Sequence, residues 1–104
     1  MGAEVERLFD EAAAALCAEA GVELGKIFHS QGVSVGGKFF AFVRGDEIVA
    51  KLPAERVSAL IAAGDGGPFD AGKGKPLREW VRFAPSGLAQ CSQLMGEARA
   101  FVGR

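Results

Sequence analysis

VSVGGKFFAFVRGDEIVAKL, residues 33–52, holds three runs of β-branched and aromatic residues parted by two short glycine-containing breaks. Gly36-Gly37 has the backbone freedom a two-residue hairpin needs, and Arg44-Gly45-Asp46-Glu47 supplies a second reversal. The simplest reading is an antiparallel meander of three strands. Its middle strand is unusual, because strict alternation sets Phe39, Ala41 and Val43 on one face and Phe40 and Phe42 on the other. A sheet with helices on one side needs something to cover its second apolar face. The glycine-rich loop of residues 65–76 is one candidate cover. A second copy of the chain is the other, with Phe40 and Phe42 as the candidate dimer face, and a homodimer is the expectation adopted.

Outward from this stretch, Val5, Leu8, Phe9, Ala12 and Leu16 recur at helical spacing between Glu4 and Ala20, and Gly21 is placed to end that helix. Residues 22–43 read as strands, punctuated by Gly25, Gly32, Gly36 and Gly37. On the C-terminal side, Pro53 suits a first helical turn, Val57, Leu60 and Ile61 form an apolar stripe, and Gly64 stops it. Residues 77–83 alternate, with Leu77, Glu79, Val81 and Phe83 on one face and Arg78, Trp80 and Arg82 on the other. A last helix carries Leu88, Cys91, Met95, Ala98 and Val102, with Ser86 as its N-cap candidate. The fold class is therefore α+β. It predicts two layers, an antiparallel sheet of four to five strands with helices on one side, in the order α-β-β-β-α-β(-β)-α, as one domain over residues 1–104.

The composition, 49% hydrophobic and 24% charged, lies far from that of disordered chains, so a packed core is expected. A net charge of -1 provides no general attraction to phosphate backbones, and specific DNA binding by the domain alone is not expected. No apolar run reaches the length of a membrane span, and the acidic N-terminus is unlike a signal peptide, which points to the cytoplasm. Cys17 and Cys91 both fall on apolar helical stripes and are expected to be buried, reduced and unpaired.

Chemistry-bearing patterns are thin. Gly32–Lys38 and Gly67–Lys73 approach the phosphate-binding loop, but each lacks the hydroxyl that would hold magnesium and the helix that should follow. His29 is the single histidine and has no metal-ligand spacing around it; pairing with Cys17 or Cys91 as a nucleophile is weaker than a packing role for those thiols. No catalytic residue, metal ligand or cofactor is assigned. The best candidate surface is Arg78, Trp80 and Arg82 with Lys73 and Lys75 just upstream, an aromatic flanked by cations that suits a partner or an anionic ligand.

The strings KIFHSQGVSVGGKFFAFVRGDEIVAKLPAERVSALIAAG from Lys26 and PFDAGKGKPLREWVRF from Pro68 resemble the N-terminal domain of the TfoX family of competence regulators. The features carrying the resemblance are Lys26 to Phe28, Gly36-Gly37-Lys38 entering the aromatic strand, Lys51-Leu52-Pro53 entering the middle helix, and Pro68-Phe69 leading to the Trp80 strand. His29 stands where the family commonly has glycine. The resemblance implies a secretion-chaperone-like α/β fold and a non-catalytic regulatory or protein-interaction module linked to transcription or competence, here as a stand-alone domain. The competing reading is a small enzyme or ligand-binding protein using the Arg78, Trp80 and Arg82 face and the 65–76 loop.

Overall fold

In a computed structural model, residues 3–19, 21–27, 30–70 and 77–103 are described. The elements in chain order are α1 (Ala3–Leu16), β1 (Val22–Ile27), β2 (Ser30–Val35), β3 (Lys38–Arg44), β4 (Glu47–Lys51), α2 (Ala54–Ala62), β5 (Gly67–Pro68), β6 (Trp80–Phe83) and α3 (Leu88–Val102). The fold is α+β, with one six-stranded sheet in the order β1-β2-β3-β4-β6-β5 and every neighbouring pair antiparallel. The sheet is thus one strand larger than the upper expectation. Residues 22–35 form an antiparallel pair, β1 and β2, ahead of the two further strands of the meander. Gly25 and Gly32 are not breaks in it; they face each other across β1 and β2. A Cβ on Gly25 would lie 3.1 Å from the Phe39 ring, so this bare patch of backbone is the seat of an aromatic side chain.

Gly36 and Gly37 make the expected hairpin with φ of 58° and 83°, a region in which a Cβ is strained. Between β2 and β3 the register then slips: Val33 pairs with Ala41 but Ser34 pairs with Phe39, leaving Phe40 without an opposite number. This bulge turns Phe40 to the same side as Ala41 and Val43, in the core beneath the helices. Phe39 and Phe42 take the other face. The two-against-three alternation predicted for the strand is therefore corrected by one inserted residue.

All three helices contribute to that single core: Phe9 and Ala13 from α1, Val57 and Leu60 from α2, and Cys91, Leu94, Met95 and Ala98 from α3 pack on Val33, Ala41, Ile48, Ala50, Val81 and Phe83. Two ion pairs tie the layer together: Arg56 of α2 to Glu97 of α3, and Arg99 of α3 to Glu19 after α1, both at 2.9 Å. Pro53 precedes the first residue of α2. The cap of α3 is Gly87, not Ser86; Ser86 instead donates its backbone N–H to the Gln90 side chain at 2.7 Å. Among the described residues, no helix is long and apolar enough to cross a membrane.

The second face carries its own small core of Phe42, Val49 and Phe69, with Trp80 against it. Phe69 follows β5 and folds back over the sheet, its ring 5.7 Å from that of Phe42 and nearly perpendicular to it. Of the two proposed covers, the chain's own loop occupies the site. Phe40 and Phe42 are 0% and 1% exposed, so neither presents a dimer face.

Candidate functional site

The three residues expected on one strand face do not share one in the structure. Leu77 donates its backbone N–H to Phe69 O at 2.8 Å, and Trp80 donates to Leu77 O at 3.2 Å, so residues 77–79 form a turn and β6 begins only at Trp80. From there alternation holds: Val81 and Phe83 are buried in the helix-side core, while Trp80 and Arg82 point to the second face. Leu77 and Glu79, predicted to share the inner face, are exposed. Arg78 lies on the turn that precedes the strand carrying Arg82. Lys73 and Lys75, like His29, lie outside the described residues.

Arg82 is committed within the chain. Its Nε donates to Pro68 O at 2.9 Å and its Nη1 to Glu47 Oε2 at 3.0 Å. A Cβ on Gly67 would stand 2.8 Å from the guanidinium, so a larger residue there would push the arginine aside. Trp80 is half-buried, with its rings 5.8 Å from Phe42 and 6.5 Å from Phe69. Lys51 Nζ sits 5.7 Å from the indole, and Arg44 Cζ 5.4 Å from the Phe69 ring. The cations beside the aromatic cluster are therefore Lys51 and Arg44, which the sequence pattern did not single out. The signal for Lys51 was its cross-strand pairing with Trp80, visible only once β4 and β6 are known to be neighbours.

Beside this cluster, α2 and the turn at residues 77–79 enclose a groove of about 360 Å³. Ala54, Glu55, Val57, Ser58 and Ile61 form its helix wall, and Pro68, Leu77 and Arg78 the opposite one. It adjoins a second cleft of about 450 Å³ that shares Ala54, Leu77 and Arg78 and extends to Glu79 and Trp80. Ile61 and Leu77 are 38% and 36% exposed here, two of the few large apolar side chains at the surface of the described residues. Ile61 was expected in the stripe with Val57 and Leu60; it lies on the edge of that stripe and falls into the groove. Among the described residues the Arg78 guanidinium has no ion-pair or hydrogen-bond partner. Glu55 on the facing wall likewise has none. An apolar floor between an available cation and an available carboxylate suits a short peptide segment with an apolar anchor and charges of both signs.

The first glycine-rich near-match proves to be the β2–β3 hairpin, which leads into a strand; the second contains β5, and its Gly72 and Lys73 lie outside the described residues. Among the described residues, no group of three or more histidine, cysteine, aspartate or glutamate side chains is placed to hold a metal ion. Both cysteines are free. Cys91 is fully buried, near Leu8 O at 3.7 Å and Met95 Sδ at 3.5 Å, and burial pushes its thiol up to about 11. Cys17 was expected to be buried but is half-exposed, because α1 ends at Leu16 and leaves it in the following turn. Compared with models of protein families, with curated proteins and with solved structures, the chain matches none of them.

Proposed function

We propose that this protein is a non-catalytic regulatory module that works by binding another protein, and that the groove between α2 and the residue 77–79 turn receives a peptide segment of that partner. The observation that carries this reading is the combination at one place of exposed Ile61 and Leu77 with the available charges of Arg78 and Glu55. Exposed apolar side chains ringed by charge are the surface pattern of protein recognition. The resemblance of residues 26–83 to the N-terminal domains of TfoX regulators supports the same class of activity. On this reading the protein acts in the cytoplasm as a homodimer, and any influence on transcription passes through the bound partner. The cations near the groove are set on a turn and on strand edges, not along a helix shaped for the major groove.

Affinity capture from the native host tests this, run in parallel with the wild type, Ile61→Asp and Arg78→Glu. Arg78 is exposed, so its variant should melt like the wild type; Ile61 is 38% exposed, so the melting curve of Ile61→Asp is recorded beside it to show that the variant folds. The reading expects a co-purifying protein that is retained by the wild type and lost with either variant. A partner held equally by all three would remove the groove from the account.

A further inference from the structure

The two edges of the sheet are unequal. One is β5, only two residues long, and one of those is Pro68, which has no N–H to offer. The other is β1, six residues paired on one side with β2 and, among the described residues, with no strand on the other. It carries no proline and no bulge in its pairing, and its only charged side chains are Glu23 and Lys26. At its middle, Leu24 is 57% exposed, the most exposed large apolar side chain among the described residues.

Which backbone groups face outward follows from the ladder. Gly36 donates to Gly21 O at 3.1 Å, and in an antiparallel pair the bonded positions recur at every second residue. Glu23, Gly25 and Ile27 therefore bond toward β2, and Leu24 and Lys26 point both N–H and C=O away from the sheet. Val22 directs its carbonyl outward too, while its N–H is engaged by Glu19 O at 3.4 Å.

We propose that this edge pairs antiparallel with the β1 edge of a second copy, about a two-fold axis at Leu24, making one sheet continuous across both copies. In that register the two Leu24 residues exchange both backbone bonds, and each Lys26 N–H meets the Val22 carbonyl of the other copy. The two exposed leucines cover each other. The charges select this register: Glu23 falls opposite Gly25, and Lys26 opposite Val22. Shifting the axis to Glu23 or to residue 26 sets like charges directly opposite each other, which is destabilising. An axis at Gly25 juxtaposes two residues with no side chain and leaves each leucine against a lysine. A two-fold axis perpendicular to the sheet keeps the helices of both copies on one side and leaves both grooves open. The pairing is independent of the functional reading given to the groove.

The contact is a single strand pair, so the dimer should form over the micromolar range. Light scattering of the full chain from low to high micromolar concentration should show the mass double. Leu24→Lys should hold it at the monomer mass without changing the melting curve. Leu24→Pro, which removes an outward N–H, should also hold it at the monomer mass. In a Cys17→Ser background, Leu24→Cys should oxidise to a covalent dimer, since bonded pairs place Cα atoms about 5.5 Å apart, within disulfide reach. Glu23→Cys should not, because the axis at Leu24 sets its two copies too far apart. A monomer at the highest concentration, a dimer that survives Leu24→Lys, or cross-linking at 23 in preference to 24 would overturn the proposal.

Discussion

Cys91 sits at the centre of the core with its thiol held well above the ordinary value of 9.0, at about 11, by burial alone. The unfolded chain loses that proton near pH 9 and the folded chain keeps it to about pH 11, so the unfolded state binds fewer protons between these limits. Stability should therefore fall as pH rises through that window, by on the order of 2 kcal/mol in total, and be unaffected by this group below it. No tyrosine titrates there to confuse the result. Urea melts at pH 8 and pH 10.5, compared with those of Cys91→Ala, should give a steeper loss in the wild type; equal slopes would place the thiol in a wetter site than the structure does. At Gly66 the argument is steric: a Cβ would lie 2.7 Å from Val81 Cγ2 and 3.2 Å from Arg82 O. Gly66→Ala should cost about 1–3 kcal/mol, in the range of overpacked cores, and a neutral result in the same melts would show that β5 can move aside.

At the scale of elements, the second face of the sheet depends on Phe69. Removing its ring uncovers Phe42 and Val49 and leaves Trp80 in water on a further side. Phe69→Ala should cost about 3 kcal/mol, and because Trp80 is the one tryptophan its emission should shift to the red in the native state. A melt and emission spectrum like those of the wild type would mean that the loop is not the cover. How much of this was legible in the sequence follows from the same elements. The Gly36-Gly37 hairpin, α2 and most of the α3 stripe were readable because turn chemistry and a 3.6-residue period are local. The fate of the Phe39–Val43 strand was not. A period-two reading assumes an unbroken register, and the bulge that turns Phe40 inward exists only in relation to β2. Gly25 and Gly32 misled for a related reason: a glycine that ends a strand and one that makes room for Phe39 look alike until the strands are paired. The turn at residues 77–79 was hidden because Leu77-Arg78-Glu79 happens to continue the alternation of the strand behind it.

Across the whole molecule, 32 × 32 × 25 Å, the helix layer and the second face are closed from within the chain, while the β1 edge is the surface proposed for a second copy and the α2 groove the one proposed for a protein partner. The candidate site was only partly visible in sequence: Arg78 was named and Trp80 lines the adjoining cleft, but Arg82 is engaged by Pro68 and Glu47, while Ile61 was assigned to the core. Residues from α2 and from a turn 16 positions after Ile61 meet only through the β4–β6 pairing, which no local pattern reports. The central claim is that a protein partner is held in that groove, and site-specific photocross-linking in the native host addresses it most directly. A photoreactive residue is placed at Ile61, at Leu77, or at Arg44 on the second face. The account predicts a discrete protein adduct at 61 and 77 and none at 44; adducts at 44 with none at either groove position would contradict it.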